Sequence, residues 1–269
     1  MQKTILLTGA TDGIGLATAK MLVSKGHFVL LHGRSLEKLQ KTEDLMTVSQ
    51  GNGHVESYQA DLSGMADVEA LAKAVTQKHG KLDVLINNAG VFKVAEPITQ
   101  DGLDVRFVVN AIAPYLLTNR LLPLFDKSGR VINVSSAGQS PVDIDALAGR
   151  IRISDDYTAY AQSKLAITMW SRHMALSHDR DKPVIVAVNP GSLLGSKMVQ
   201  EGFGIAGSDV NIGADILTRA ALSEEFSTAS GQYFDNDAGC FSAPHPDALD
   251  DRKLAEIVHA IEMVLVDMA

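Results

Sequence analysis

The sequence is poor in several features that mark particular classes of protein. A single cysteine, Cys240, among 269 residues excludes an intrachain disulfide framework and fits a reducing compartment. There is no dense basic run and the formal net charge is −8, which argues against nucleic acid or an anionic membrane as the main partner. The eight histidines show no clustered ligand spacing, so no metal site is predicted.

Long apolar runs are also scarce. We expect no segment to reach the length of a membrane span. The chain arrives at a glycine turn by Gly9, which leaves no room for a secretory segment before it. These absences predict a cytoplasmic protein without a membrane partner. The apolar content of 46% is enough to fill the core of one large α/β domain.

Short β-rich runs alternate with longer segments of helical period, which predicts an α/β fold with a parallel sheet and crossover helices. No linker, composition shift or repeat divides the chain, so residues 1–269 are predicted to form one doubly wound domain. The predicted strands, about seven, cover 4–8, 28–31, 54–59, 84–87, 130–134, 184–188 and 232–234. The predicted helices cover 13–25, 65–78, 102–122, 157–176, 212–222 and 252–266.

Two segments, 139–156 and 192–210, interrupt the rhythm of short loops. Both follow predicted strands at the carboxyl edge, where open α/β sheets bind ligands. Plain surface insertions are the alternative, but we favour substrate walls and a lid, because binding loops concentrate on that edge. Apolar residues in the second segment, Leu193, Leu194, Met198, Phe203 and Ile205, indicate a pocket that tolerates hydrophobic groups.

A glycine-rich turn follows the first strand and opens the first helix. Free N–H groups and the helix dipole favour an anion there, so the turn is predicted to hold the pyrophosphate of a dinucleotide. The spacing Gly-x-x-x-Gly-x-Gly differs from the commoner Gly-x-Gly-x-x-Gly, and a flexible loop is the alternative reading. The predicted contacts in this turn are Gly9, Thr11, Asp12, Gly13, Ile14 and Gly15.

The second strand ends in His32-Gly33-Arg34-Ser35, without the acidic residue that would bind a ribose 2′-hydroxyl. Arg34 instead offers a guanidinium suited to a 2′-phosphate, which favours NADP(H) over NAD(H). Ser35 is predicted to add a hydroxyl contact. The negative charge of Asp12 weakens this preference, and Arg34 as an ordinary surface residue is the alternative.

The third and fourth strands are followed by further candidates. Asp61 and Leu62 are predicted to contact the adenine, and Asn88, Ala89 and Gly90 to lie beside the nucleotide. Ordinary loop chemistry is the alternative for both segments. Farther along, Tyr160 and Lys164 stand four residues apart, so on a helix they share one face. A nearby ammonium favours the phenolate, which would make Tyr160 a usable acid or base.

In this order the motifs resemble those of the short-chain dehydrogenase/reductase family, of the compact type with one Rossmann-type domain. The matching pieces are Thr8-Gly9-x-x-x-Gly13-Ile14-Gly15, Asp61, Asn87-Asn88-Ala89-Gly90, Asn110, Ser136, Tyr160-x-x-x-Lys164 and Pro190-Gly191. The resemblance covers essentially the whole chain. It implies an oxidoreductase that transfers hydride between NAD(P)(H) and a small or medium carbonyl/alcohol substrate.

The resemblance also implies a role for each site residue. Tyr160 is the general acid in reduction and the base in oxidation, and Lys164 lowers its pKa and holds the nicotinamide ribose. Ser136 hydrogen-bonds the substrate oxygen, and Asn110 binds a water in a proton relay. Pro190 and Gly191 border the nicotinamide. Where many relatives have a threonine for the carboxamide this chain has Gly195, and Ser196 is the predicted substitute.

The tail, with Ser230 to Phe234 and Pro244-His245-Pro246, is similar to the retinol-dehydrogenase-like branch, which implies NADP(H) and apolar substrates. Dimers and tetramers are common in the family, and the helices at 102–122 and 157–176 would supply the interface. The same apolar faces would equally serve the monomer core, with the tail covering one of them. Two alternative functions stay open: an idle dinucleotide-binding redox sensor or scaffold, and a sugar-nucleotide epimerase or dehydratase.

Overall fold

The computed structural model describes residues 1–47, 52–177 and 182–268. Its centre is one sheet of strands β1 (Thr4–Leu7), β2 (Phe28–Gly33), β3 (His54–Gln59), β4 (Val84–Asn87), β5 (Arg130–Val134), β6 (Val184–Asn189), β7 (Tyr233–Asp235) and β8 (Cys240–Ser242). The strand order is β3-β2-β1-β4-β5-β6-β7-β8, and only β8 is antiparallel to its neighbour. The predicted α/β fold with a doubly wound parallel sheet is confirmed.

The described sheet has eight strands, so the prediction of about seven was one strand short. The missed strand, β8, has three residues, too few for a period of two to be visible. It folds back on β7 after a tight turn that contains Gly239, whose φ of +71° suits glycine better than other residues.

The helices lie on both faces of the sheet, at α1 (Gly13–Ser24), α2 (Leu36–Thr47), α3 (Met65–Lys78), α4 (Val105–Phe107), α5 (Ala113–Leu121), α6 (Ile144–Leu147), α7 (Asp156–Ser177), α8 (Lys197–Phe203), α9 (Val210–Leu222) and α10 (Asp251–Asp267). The prediction missed α2, which buries only Leu39, Thr42 and Met46. The two segments predicted as loops contain the short helices α6 and α8. Aspartates cap several of the helices, as Asp12 does for α1 and Asp250 for α10.

The sheet separates two apolar cores because side chains alternate between its faces. In β1, Leu6 belongs to the core beneath α3, α5, α7 and α10, whereas Ile5 and Leu7 belong to the core beneath α1 and α9. All three are fully buried. Strands covered on both faces are apolar without interruption, which is the pattern that made them visible in the sequence.

The helical stretch Val105–Leu124 has 20 residues and a mean hydropathy of 1.2, so the expectation that no segment is long and apolar enough for a membrane span was wrong. Of its most apolar window, 72% is buried inside the protein, where it packs against α3 and α7. A π-helical turn over Val108–Ile112 interrupts it and contains Asn110. Such turns often occur at functional sites.

The C-terminal helix α10 packs along α7. Its buried face includes Leu254, Ile257 and Ile261, and the Tyr115 hydroxyl donates to Glu262 at 2.7 Å. The tail therefore covers one of the two helices whose apolar faces were assigned either to an oligomer or to the monomer core.

Candidate active site

The strand order reverses between β1 and β4, since β2 and β3 lie on one side of β1 and the later strands on the other. In open α/β sheets, ligands bind in the crevice outside such a switch point. The glycine turn leaves β1 and the segment Asn88–Gly90 leaves β4, so these two predicted segments are neighbours at this crevice. The predicted catalytic residues reach the same edge from β5 and α7.

The glycine turn is locked to the segment after β4. Asn88 donates its side-chain amide to the carbonyl oxygens of Thr8 at 2.8 Å and Gly9 at 3.2 Å. In return the Thr8 hydroxyl oxygen accepts the backbone N–H groups of Asn88 and Ala89, each at 3.0 Å. Asn88 therefore stabilises the glycine turn. Thr8, which was not among the predicted site residues, stabilises the segment after β4.

The glycines of this turn make room for close backbone contacts. A Cβ atom at Gly15 would lie 2.0 Å from the Gly9 carbonyl oxygen, and one at Gly9 would lie 2.9 Å from Ala89 Cα. A Cβ at Gly13 would lie 3.2 Å from Ser196 Cβ, so the turn faces the loop after β6. The turn also begins α1, the geometry that suits a pyrophosphate. Ile14 packs against the core beneath α1 and α9.

His32 connects the ends of three strands beneath the turn. Its Nδ1 atom accepts the Gly9 N–H at 3.3 Å, and its Nε2 atom lies 3.1 Å from the Ala60 carbonyl oxygen. This arrangement assigns the neutral tautomer with the proton on Nε2. Burial lowers the pKa of His32 to about 4, so the ring stays neutral near pH 7. His32 was quoted in the sequence motif but given no role.

Arg34 is exposed at the end of β2, and its guanidinium has no ion-pair partner within 1–47, 52–177 and 182–268. Ser35 accepts the Lys38 N–H at 3.3 Å, at the start of α2. Asp12 caps α1 by accepting the Gly13 N–H at 2.8 Å, and its other oxygen lies 3.5 Å from Lys38 Nζ. The charge of Asp12, which seemed unfavourable beside a phosphate, thus has a cation next to it.

The segment after β3 divides between surface and core. Asp61 is exposed, and its carboxylate accepts the N–H and hydroxyl of Ser63 at 2.9 and 2.8 Å. The Leu62 side chain is only 5% exposed and belongs to the core beneath α3. The adenine contact of Asp61 and Leu62 stays a prediction.

Ser136, Tyr160 and Lys164 come together as expected. The Ser136 hydroxyl lies close enough to the Tyr160 phenol to favour its ionised form, and Lys164 Nζ lies 5.6 Å from the centroid of the Tyr160 ring. Burial raises the pKa of Tyr160, and the neighbouring Ser136 lowers it by less. The net pKa of Tyr160 is raised, and Lys164 Nζ donates to the Val134 carbonyl oxygen at 2.8 Å; the predicted lowering of the Tyr160 pKa by Lys164 stays a prediction.

Lys164 and Asn110 meet at Gly90. A Cβ at Gly90 would lie 3.3 Å from Asn110 Oδ1 and 3.5 Å from Lys164 Nζ. Asn110 donates to Val91 O and Ser163 Oγ, each at 2.9 Å, and accepts the Val91 N–H at 2.8 Å. Both amide hydrogens are used, so a relay water could bond to this side chain only by donating to its oxygen.

The sequence of residues 3–203 matches the family model described as short chain dehydrogenase. The chain is a short-chain dehydrogenase/reductase. Human retinol dehydrogenase 13 is 30% identical over 267 residues, covering 93% of this chain and 80% of that protein. This similarity places the enzyme in the retinol-dehydrogenase-like branch of the oxidoreductase family.

Solved structures of other proteins share the fold of this short-chain dehydrogenase/reductase. A structure titled as a putative uncharacterized protein from Mycobacterium paratuberculosis superposes with a TM-score of 0.81 at 26% identity, covering 98% of this chain and 93% of its own. The landomycin C-6 ketoreductase LanV, solved with NADP and rabelomycin, gives 0.67 at 27% identity, covering 87% and 94%. A nicotinamide dinucleotide is therefore the cofactor class that this enzyme's relatives support.

One wall of the site in this short-chain dehydrogenase/reductase is aromatic, and the sequence did not predict it. The Phe92 ring meets Tyr160 edge-on with centroids 5.1 Å apart and stacks on Phe203 of α8 at 5.3 Å. A Cβ at Gly202 would lie 2.5 Å from the Phe92 ring, so the backbone of α8 rests on that ring. No residue of α8 is fully buried. In the sequence, the only sign that Phe92 lies near the site was its position two residues after Gly90.

The loop after β6 closes this dehydrogenase's cleft from the other side. Gly191 has a φ of +120°, and its N–H donates to the Asn189 side chain at 3.2 Å. The backbone of Pro190 accepts from the Asn236 side chain at 2.9 Å. Ser196 caps α8 through the Val199 N–H at 3.4 Å. Ser196, rather than Gly195, thus presents a hydroxyl next to the glycine turn.

Proposed function

We propose that this enzyme transfers hydride reversibly between NADP(H) and a small or medium carbonyl/alcohol pair. The observation that carries the proposal is the meeting of Tyr160 with Ser136, which lowers the phenol's pKa, and with the buried Lys164, whose Nζ lies 5.6 Å from the Tyr160 ring centroid. Chemistry at an alcohol or carbonyl needs one acid–base group and one fixed hydrogen-bond partner at the same oxygen. When bound, the nicotinamide supplies or accepts the hydride.

In this proposal Tyr160 gives a proton to the substrate oxygen during reduction and removes it during oxidation. Ser136 holds that oxygen within reach of the phenol, and Asn110 and Lys164 carry the proton onward. Lys164 also holds the nicotinamide ribose hydroxyls, since ammonium is a donor in three directions. Burial lowers the pKa of Lys164 to about 8, which brings its proton transfer close to the physiological range.

The preference for the phosphorylated cofactor rests on Arg34, whose exposed guanidinium beside the glycine turn has no ion-pair partner in the part of the chain that the structure describes. The NADP in the LanV structure supports the same choice. The residues that we propose to hold the cofactor are Gly9, Thr11, Asp12, Gly13, Ile14, Gly15, Arg34, Ser35, Asp61, Leu62, Asn88, Ala89, Gly90, Tyr160, Lys164, Pro190, Gly191 and Ser196.

The substrate side of the cleft is aromatic. Phe92 and Phe203 line it next to Tyr160, and Tyr157 meets Phe92 with ring centroids 6.5 Å apart. Phe203 and Tyr157 are both about half exposed, at 48%, so apolar surface is available at the mouth. Apolar rings of this kind favour a carbonyl or alcohol with a hydrophobic body.

The test begins with titrations of the purified protein with NADPH and NADH, followed by cofactor fluorescence, before a panel of aliphatic and aromatic carbonyl compounds is screened. We expect NADPH-selective binding and turnover of apolar members of the panel. Binding without turnover across the panel would favour the redox sensor or scaffold. Absence of binding by either cofactor would refute the proposal. The cytoplasmic location and assembly into a dimer or tetramer stay predictions.

A further inference from the structure

The loop that connects β6 to α8 has little internal support. Pro190 has no N–H group to donate, and Gly191 and Leu193 have φ values of +120° and +52°. A positive φ costs free energy in a residue other than glycine, so Leu193 is held there by contacts outside its own backbone. Segment 190–193, which we call the nicotinamide-side loop, therefore depends on neighbours for its conformation.

Leu193 is held by the segment before α9, since its carbonyl oxygen accepts the Ser208 N–H at 2.8 Å. The rest of the loop is held by the hairpin of β7 and β8. Asp237, in the turn of that hairpin, accepts the Ser192 N–H at 2.8 Å and the Ser192 hydroxyl at 2.6 Å. The Asn236 side chain donates to the Pro190 carbonyl oxygen at 2.9 Å. The backbone N–H of Gly191 thus donates to the side chain of Asn189, and the backbone N–H of Ser192 donates to the side chain of Asp237.

Asn189 joins the loop to the hairpin from below. This residue is 1% exposed, and its amide nitrogen donates to Asp235 at 2.8 Å and Asp237 at 2.9 Å. Its oxygen accepts the Gly191 N–H at 3.2 Å. All its hydrogens are used, so the buried amide fixes the position of the Asp237 carboxylate. Burial would raise the pKa of Asp237, but hydrogen bonds from Ser192 and Asn189 lower it, so the carboxylate remains a charged acceptor.

We propose that Asp237, held by Asn189, is a positioning residue that fixes the nicotinamide-side loop and thereby the nicotinamide half of the bound cofactor. The inference rests on the proposed function. Gly195 and Ser196 continue directly from this loop to the glycine turn, where Ser196 faces Gly13. Release of Ser192 would therefore shift the backbone beside the nicotinamide while the adenosine end, at Arg34 and Asp61, keeps its contacts.

The experiment compares two ligands on Asp237→Asn. NADPH occupies both halves of the site, whereas adenosine 2′,5′-bisphosphate occupies only the adenosine half. Hydrogen bonds to a charged acceptor are among the stronger ones in proteins, so we expect the Kd for NADPH to rise roughly tenfold. The Kd for adenosine 2′,5′-bisphosphate should change less than about twofold on the same reasoning. A merely structural role would weaken both ligands together.

Ser192→Ala tests the same contact from the other side at an exposed position. It keeps the N–H donor and removes the hydroxyl, so we expect a smaller rise in the Kd for NADPH, and the double variant should lose less than the sum of the two. Asp126→Asn is the matched control, because Asp126 likewise accepts the N–H and hydroxyl of a serine, Ser128, at 2.8 and 2.5 Å. It lies before β5, at the opposite edge of the sheet, and should leave both Kd values unchanged.

Three outcomes separate the ideas. A selective loss of NADPH affinity in Asp237→Asn and Ser192→Ala supports the inference. Unchanged NADPH binding, or an equal loss for both ligands, overturns the inference and leaves the proposed function standing. If the wild-type protein itself binds no NADPH, the proposed function fails first and the inference fails with it.

Discussion

The Lys164 Nζ atom donates to the Val134 carbonyl oxygen at 2.8 Å, so strand β5 holds the lysine beside Tyr160. Lys164 is only 4% exposed, and burial lowers the pKa of its amine to about 8. Burial therefore makes both the phenol and the amine harder to ionise. The charge next to Tyr160 depends on pH in the range where the enzyme would work.

Removal of the Tyr160 hydroxyl should abolish turnover and spare the cofactor. A positioned general acid contributes roughly a hundredfold to ten-thousandfold to a rate, so Tyr160→Phe should lose at least that much in kcat with little change in the Kd for NADPH. Tyr115→Phe is the control, since it removes a buried hydroxyl that donates to Glu262, away from the predicted site. Near-normal turnover in Tyr160→Phe would disprove the mechanism.

The alkaline limb of the rate profile should report Lys164. The amine is protonated below its pKa of about 8, so its positive charge is lost as pH rises through that value. We expect kcat/KM for NADPH-dependent reduction to fall above about pH 8, because that ratio follows the ionisations of the free enzyme. Lys164→Arg keeps its charge over this range. The remaining activity of this variant should not fall above about pH 8. If it still falls there, the ionisation belongs to another group.

Reversal of charge at Arg34 should act on cofactor choice. We expect Arg34→Glu to weaken NADPH by roughly tenfold to a hundredfold, the size of lost hydrogen bonds between charged groups, with a much smaller change for NADH. Paired titrations measure this directly. Arg252→Glu, on the distant helix α10, serves as the control. A parallel fall in both affinities would mean that Arg34 does not bind a 2′-phosphate.

Acid should destabilise the protein through His32. Its pKa is about 4 in the folded protein, against an ordinary value of 6.5, so the unfolded chain binds the extra proton first as pH falls. Stability is therefore lost as pH falls from about 6.5 to about 4 and levels off below that, by roughly 3 kcal/mol. Denaturant unfolding at several pH values should show a flatter dependence in His32→Asn, whereas the exposed His54→Asn should match the wild type.

Two arginines provide a matched test of buried and exposed ion pairs. Arg106 is 1% exposed and binds Asp104 through two nitrogens and Asp156, at the start of α7, through the third. Arg106→Met leaves these carboxylates without their cation, which should cost roughly 3–5 kcal/mol in unfolding free energy. Arg120→Met breaks the exposed pair with Glu69 and should cost at most about 1 kcal/mol. Equal losses would contradict this account.

Much of the fold was readable because it depends on local pattern. Strands β3, β4 and β5 were predicted with the bounds observed, since apolar runs covered on both faces stand out against their flanks. Helix α2 was missed because three buried residues give a weak period. Strand β8 was missed because three residues are too few to show an alternating pattern.

The site divides in the same way. Tyr160 and Lys164 were found because a helix fixes the spacing of residues four apart. Phe92, His32 and Asp237 act through partners distant along the chain: Phe203, Gly9 and Ser192. No spacing rule connects such pairs, so only the folded structure brings them together. The raised pKa of Tyr160 was also beyond the sequence, because burial is a property of the assembled site.

Helix α7 has a consequence for how the enzyme would fail on heating. Of its 22 residues, 13 are buried, including Lys164 and Trp170, so the helix that we predict to bear the catalytic residues is also a central part of the larger core. Helix α8, by contrast, has no fully buried residue. On warming, α8 should detach first, and the enzyme should then discriminate less between substrates. Cofactor binding and the packing around Tyr160 should persist until the whole domain unfolds in one step.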